Sequence, residues 1–327
     1  MENTLALTLL LQTQAWALNI MKLASFLGTE EFFLLIMPAV YWCWDARLGF
    51  RLGMILVLSN GLCDSLKTAF HTPRPYWVSR EVNAWGSETC FGLPSAHAQN
   101  AVAFWGLLAG CIKTKRAWAA ALTLSLIIGL SRIYLGVHFA EDVFCGWALG
   151  FLILGAFMFA EKQMKDRLAG LDLGIQIFVS LLASFGLLSL YALARFSMDG
   201  WQMPSSWASC ALAATGNAID PLNLKFTLTS AGMLFGLGAG YSLMRRRMRF
   251  LAPDDARRKA TCYLLGMVGL LMIWYGLGEL RRGQTAIVVD AVYYLRAAFA
   301  GIWVTVLAPL LLVKVGLMEK GIDRKEK

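Results

Sequence analysis

The chain has 327 residues, 58% of them hydrophobic, a formal net charge of +9 and a mean hydropathy of +0.57. That composition is too apolar for one or two soluble domains and points to a polytopic membrane protein. A nucleic-acid partner is set aside because the basic residues fall in short loops between apolar runs rather than along one soluble face.

Residues 4–27 are apolar but interrupted by Gln12, Gln14, Asn19 and Lys22. They are expected to form an amphipathic helix lying in the interface, an N-terminal region over 1–28, with a spanning segment as the alternative. The stretch lacks the basic region and small-residue cleavage site of a secretory signal, and no cleaved signal is expected. Thr29 is placed to cap the next helix, with Glu30 and Glu31 in its first turn.

Nine spans are then predicted, at about 31–46, 50–70, 95–113, 117–135, 139–160, 172–196, 225–244, 261–280 and 291–315, while 201–224 is too polar to cross. Intramembrane backbone must satisfy its own hydrogen bonds, so the expected fold is all-α. Arg47 and Arg51, then Lys113, Lys115 and Arg116, then Lys162, Lys165 and Arg167 sit on alternate loops. So do the run from Arg245 to Lys259 and the tail with Lys320, Arg324, Lys325 and Lys327. The positive-inside rule assigns these to the cytoplasm and places 71–94, 136–138, 198–224 and 281–290 outside, although Arg281 and Arg282 run against it. Gly232, Gly236, Gly238 and Gly240 form a small-residue ridge expected to admit another helix. The seven cysteines show no metal-binding spacing and read as small apolar helix residues, except Cys90 and Cys210 in predicted loops; no disulfide is expected between those two.

Three charged stretches interrupt this pattern. In Lys67-Thr68-Ala69-Phe70-His71-Thr72-Pro73-Arg74-Pro75 the prolines force extended backbone around Arg74 and leave Lys67 on the last helical turn. In Gly92-Leu93-Pro94-Ser95-Ala96-His97, Ser95 is a natural N-cap, and its hydroxyl with the first-turn N–H groups of Ala96 and His97 can cradle an anion. In Ser131-Arg132-Ile133-Tyr134-Leu135-Gly136-Val137-His138-Phe139-Ala140-Glu141-Asp142, His138 and Asp142 lie four apart. The carboxylate can then take an imidazole N–H, fix the tautomer and leave the other nitrogen to attack or accept a proton, while Arg132 offers a fork for a phosphoryl group. Singly, these features also read as a snorkelling lysine, a loop arginine, a capped helix with an interfacial histidine and a buried ion pair. Together they make a phosphoryl-transfer site with no metal or cofactor, and all three histidines of the chain lie beside them. His71 is read as an interfacial residue.

The combination Lys67-x6-Arg74-Pro75, Pro94-Ser95-Ala96-His97 and Ser131-Arg132-x5-His138-x3-Asp142 resembles the three-part signature of the type 2 phosphatidic acid phosphatase superfamily, which includes membrane lipid phosphatases and soluble vanadium haloperoxidases. Residues 26–33 and 131–138 are similar to its sphingosine-1-phosphate phosphatase branch and bacterial relatives. The resemblance implies a six-span phosphatase core over 29–197 and about three further spans in an additional C-terminal region over 198–327. It implies a phosphohistidine on His138, oriented by Asp142, with His97 protonating the leaving oxygen. Lys67, Arg74, Ser95, Arg132 and the N–H of Ala96 would hold the phosphate. Ala96 departs from the family's usual glycine, and its methyl crowds the phosphate. The expected activity is metal-independent hydrolysis of a lipid phosphate monoester or diphosphate delivered by the bilayer, at the outer face of a cytoplasmic-type membrane. The alternatives are a phosphatase or phosphotransferase acting on a soluble phosphate ester, and a catalytically silent lipid-binding or lipid-translocating protein.

Overall fold

A computed structural model describes residues 2–321, so Arg324, Lys325 and Lys327 of the basic tail lie outside it. The elements are α1 (Glu2–Gln12), α2 (Leu18–Phe26), α3 (Glu30–Cys43), α4 (Ala46–Phe70), a short α5 (Pro75–Val78), α6 (Ala96–Ile112) and α7 (Lys115–Tyr134). They continue with α8 (Ala140–Gly170), α9 (Leu173–Phe196), α10 (Ser205–Thr215), α11 (Lys225–Arg247), α12 (Ala256–Glu279) and α13 (Ala286–Lys314). The last two each contain a π turn, at Met272–Gly276 and Trp303–Leu307.

All nine predicted segments are helical, but among the described residues only α4, α7, α8, α9, α12 and α13 are individually long and apolar enough to cross a membrane. The helices α3 and α6 have 14 and 17 residues. Glycine, serine and threonine, with three arginines in the last turn, dilute the apolar character of α11. The segment from Ala15 to Phe26 and α3 pass the same test as a pair bent by 48°. The expected single helix over 4–27 is broken after Gln12, where the Thr13 hydroxyl bonds back to Leu10 O at 2.7 Å and competes with the backbone ladder. Thr29 caps α3 as expected, its Oγ1 accepting from Phe32 N at 3.2 Å. The stretch 201–224, expected as loop, contains α10, so Cys210 is helical.

The chain divides into two compact units. One comprises the residues up to Phe33, Ser59–Phe159 and Ser189–Asn223; the other comprises Leu34–Leu58, Ala160–Leu188 and the residues from Leu224 onward.

In the first unit small residues set the helix spacing. A Cβ at Gly146 or Gly150 of α8 would stand 2.6 Å from Ser95 O or Gln99 O of α6, so the two backbones touch along one face. One turn earlier on the same face, Asp142 O accepts from Ser95 N at 2.9 Å. Helix α4 is tied to α6 by buried polar bonds: Gln99 Nε2 donates to Ser59 O at 2.7 Å, Ser59 Oγ donates to Asn100 Oδ1 at 2.6 Å, and Asn100 Nδ2 donates to Asn60 Oδ1 at 2.7 Å. A buried polar group without a partner is costly, so this network fixes register where apolar contacts alone would allow sliding. The consequence is that the end of α4, the start of α6 and the start of α8 meet.

In the second unit the glycine ridge of α11 packs on α13 as expected. Added methyls at Gly232 and Gly236 would meet the backbones of Tyr294 and Ala298, and one at Gly240 would meet Thr305. Gly238 instead faces Ser180 of α9. Carbonyls of the α13 π turn are taken by side chains, Val304 O by Trp42 Nε1 at 2.8 Å and Thr305 O by Tyr41 Oη at 3.1 Å. A two-stranded antiparallel ribbon, β1 (Arg249–Leu251) with β2 (Glu319–Gly321), is the one departure from helix pairing among the described residues.

Candidate active site

The site grows from the end of α4. Lys67, buried on its last turn, donates through Nζ to Phe91 O at 2.7 Å and Gly92 O at 3.3 Å. Arg74 has the expected extended backbone, φ −102° and ψ 159°, between Pro73 and Pro75. Its buried guanidinium donates from Nε to Cys90 O at 2.6 Å, from Nη2 to Phe91 O at 3.0 Å and from Nη1 to Val137 O at 2.8 Å. The loop before α6 is therefore wrapped around two cations by its own carbonyls. Gly92 closes that wrap, because a Cβ there would lie 2.6 Å from Pro73 O and 3.0 Å from Asp142 Oδ2.

His138 sits in the turn between α7 and α8, made possible by Gly136 at φ +73°. Its Nδ1 is 3.1 Å from Asp142 Oδ2, and the same oxygen accepts from Phe139 N at 3.0 Å. Its Nε2 is 3.1 Å from Arg74 Nη1. A guanidinium N–H can only donate, so Nε2 must present its lone pair and the ring proton must sit on Nδ1, facing the carboxylate. Burial and then the charge of Arg74 push the His138 pKa well below 6.5, which keeps the ring neutral and that lone pair available.

Ser95 is the N-cap of α6, its Oγ accepting from Ala98 N at 3.5 Å, and Ala96 and His97 fill the first turn. His97 Nε2 is buried and has no hydrogen-bond partner among the described residues. Gly28 makes room for this ring, since a Cβ there would come within 2.9 Å of His97 Cδ2.

Arg132, on the last turn of α7, is buried, and its Nη1 donates to Ser25 Oγ of α2 at 2.5 Å. Its Nη2 forms an ion pair with Glu88 Oε1. All eight residues named from the sequence, Lys67, Arg74, Ser95, Ala96, His97, Arg132, His138 and Asp142, thus lie in the first unit. Direct contacts join Arg74 to His138 to Asp142 to Ser95, and Lys67 and Arg74 share the Phe91 carbonyl.

The sequence reading missed Glu88, Ser25 and Gly28. Glu88 had a signal: three buried cations require a counter-charge, and the loop 71–94 offers only Glu81 and Glu88. Burial alone would raise the Glu88 pKa, but Arg132, Arg74, His97 and Lys67 hold it down at about 2. Ser25 had none, and Gly28 had none beyond its place in the stretch 26–33 that resembled one branch of relatives. His71 packs its ring on Trp201 and Phe91, with centroids 5.5 and 6.4 Å away, and α10 adds Trp207 beside Trp77 at 6.0 Å. An aromatic wall therefore backs the Phe91 carbonyl that Lys67 and Arg74 share.

A helical membrane bundle with a His–Asp pair beside three buried cations and a helix N-terminus can hold an oxyanion and present a nucleophilic nitrogen to it. The chain belongs to the PAP2 superfamily: residues 48–165 match that superfamily, and 228–320 match the "PAP2 superfamily phosphatase, transmembrane extension". It is 27% identical over 150 residues to lipid phosphate phosphatase delta of Arabidopsis thaliana, covering 41% of this chain and 36% of that one. It is 31% identical over 142 residues to a probable sphingosine-1-phosphate phosphatase of Dictyostelium discoideum, covering 38% and 34%. With phosphatidylglycerophosphatase B of Bacillus subtilis it shares 26% over 170 residues, 46% of this chain and 79% of that one. The chain thus spans about a third of the length of the first two relatives (36% and 34%) and most of the third (79%).

Proposed function

We propose that this protein is a metal-independent membrane phosphatase that hydrolyses a lipid phosphate monoester or diphosphate through a phosphohistidine. The observation that carries the reading is the His138 ring, with Nδ1 against Asp142 and Nε2 against Arg74. That arrangement dictates a lone pair on the nitrogen nearest the cations.

In this reading the substrate phosphoryl group enters between Nε2 and Arg74, and the guanidinium moves from the nitrogen to a phosphoryl oxygen. Nε2 attacks phosphorus, the P–O bond to the lipid breaks, and His97 protonates the departing oxygen. The His138 ring becomes cationic and Asp142 stabilises it. Water then attacks phosphorus with His97 as base, the P–N bond breaks, and inorganic phosphate leaves. Lys67, Arg74 and Arg132 with the Ser95 hydroxyl and Ala96 N–H neutralise the charge of the five-coordinate state, a role a metal would otherwise fill. The Ala96 methyl narrows the cradle.

Catalysis belongs to residues 29–197, with 1–28 as an N-terminal interfacial region and 198–327 as the additional transmembrane region. The basic run from Arg245 to Lys259 supports a cytoplasmic position for that loop, and hence an active site on the outer side of a cytoplasmic-type membrane. The names of the three relatives all specify a phosphate on a lipid, which supports that substrate class.

The test is phosphate release by detergent-solubilised protein across a panel of lipid phosphates, with His138→Ala as the blank. Release should survive EDTA, stop with vanadate, and vanish in His138→Ala. Loss in EDTA restored by a divalent metal would overturn metal independence, and release by His138→Ala would move the nucleophile elsewhere.

A further inference from the structure

Glu88 sits where the proposed chemistry needs an anion. Its Oε1 pairs with Arg132 Nη2, and the charges acting on its carboxylate are those of Arg132, Arg74, His97 and Lys67, four of the groups assigned to the phosphate and its leaving oxygen. Two nitrogens of that group, Arg132 Nε and His97 Nε2, are buried and have no hydrogen-bond partner among the described residues, and the first can only donate, so one carboxylate does not satisfy the pocket. The backbone of Glu88 is pinned at both its N–H and its carbonyl: Tyr76 Oη accepts from Glu88 N at 3.0 Å and donates to Glu88 O at 2.7 Å. Its side chain, by contrast, is 26% exposed while that of Arg132 is 6% exposed. Arg132 is also held independently by Ser25 at 2.5 Å. The glutamate side chain can therefore swing toward solvent while the arginine and the loop stay in place.

We propose that Glu88 is a built-in occupant of the phosphate subsite, a carboxylate that holds Arg132 in place of substrate phosphate and that the incoming phosphoryl group must displace. The inference rests on the proposed function, in which Arg132 binds phosphate. A carboxylate and a phosphate monoester both present anionic acceptor oxygens to a guanidinium, so either can take the Arg132 Nη2 that Glu88 Oε1 holds. Glu88 thus sets the affinity threshold for substrate. An ester enters only if its phosphate and lipid contacts together outcompete an intramolecular acid, and free inorganic phosphate, which lacks the lipid, competes poorly and is released. By the same logic the apparent affinity for any phosphate is reduced by the fraction of molecules in which Arg132 is free.

The test measures inhibition by inorganic phosphate and vanadate, with kcat and KM for one lipid phosphate, in wild type, Glu88→Gln, Glu88→Ala and Arg132→Ala. If Glu88 competes, Glu88→Gln should lower the inhibition constants and KM by about tenfold or more, the range set by one charge-assisted hydrogen bond, with a smaller change in kcat. Glu88→Ala should shift them the same way, and the near-isosteric Gln remains the measure where Ala is unstable. A weaker grip on phosphate in both variants would overturn the inference and make Glu88 a residue that merely positions Arg132. Unchanged constants in both would overturn it equally. Arg132→Ala separates the two levels of argument. If it keeps wild-type phosphate and vanadate inhibition, the proposed phosphate site is wrong; if it loses them while the Glu88 variants gain nothing, only the role given to Glu88 fails.

Discussion

Asp142→Asn isolates the charge behind His138 from its orientation. One oxygen, Oδ2, takes both the His138 Nδ1 bond at 3.1 Å and the Phe139 N–H at 3.0 Å. An asparagine oxygen in the same place can accept both, so the ring keeps its tautomer and position while the negative charge disappears. Full charges 3.1 Å apart interact by about 5 kcal/mol at an effective dielectric near 20, the working value even for buried pairs. A charge-assisted hydrogen bond accounts for about 3 kcal/mol of such a pair. The imidazolium exists only once Nε2 has bonded to phosphorus, so the lost energy falls on the transition state and not on substrate binding. The expected result is a fall in kcat of about 10²- to 10⁴-fold with KM nearly unchanged. Rapid acid quench of a single turnover should show phosphoenzyme forming more slowly by that factor, with the melting temperature in detergent unmoved. A loss below tenfold would refute the claim that Asp142 stabilises a cationic ring. A loss as complete as that of His138→Ala would show that the amide had turned its N–H groups toward the ring.

Four further outcomes follow from the structure. His97→Ala should lose several powers of ten on a lipid monoester but far less on an aryl phosphate, whose leaving group needs little protonation; equal residual activity of His97→Ala and His138→Ala on the aryl ester would contradict the assigned roles. Since burial and Arg74 lower the His138 pKa, the neutral nucleophile persists below its ordinary value, and the acid limb of kcat/KM should lie below pH 6.5. The unfolded chain takes up that proton at 6.5 while the folded one does not, so the same histidine lowers stability as pH falls through that point, and a melting series should show the slope shrink in His138→Ala. Gly236→Val would drive a branched side chain into the backbone of Ala298, whose Cα would stand 3.0 Å from the new Cβ, and overpacking of this kind costs about 1–3 kcal/mol. The melting temperature should fall by several degrees, read by thermal aggregation in detergent, and an unshifted midpoint would mean that α11 and α13 do not rely on that contact.

Much of the site was legible in the sequence because its chemistry is local. His138 and Asp142 lie one helical turn apart, Ser95 caps the helix it precedes, and the prolines around Arg74 fix its own backbone. Each of these depends on spacing along one short segment, which a sequence states directly. The spans were legible for the same reason, an apolar run being a property of consecutive residues; α3, α6 and α11, taken singly, are too short or too polar to cross by length and composition, and α3 passes only together with the segment before it. The glycine ridge of α11 announced a close helix contact but not its partner, since only packing could decide that Gly232 and Gly236 meet α13 while Gly238 meets α9.

What the tertiary structure alone decided is the company the charged groups keep. No spacing rule relates Glu88 to Arg132, 44 positions on, or Ser25 to the same arginine across 107 positions. The Ser25 contact exists because α2 packs against α7; beside it, Gly146 and Gly150 let α8 lie against α6, and the Ser59–Asn100 network holds α4 next to them. Once those helices meet, the loop carbonyls of Phe91 and Gly92 fall around Lys67 and Arg74, and Glu88 falls on the remaining cation. The sequence by itself determined which side chains carry charge into the bundle, because burial of an ionised group is too costly to be incidental. Which carboxylate answers which cation is a long-range electrostatic choice, made only when helix packing brings the candidates within reach.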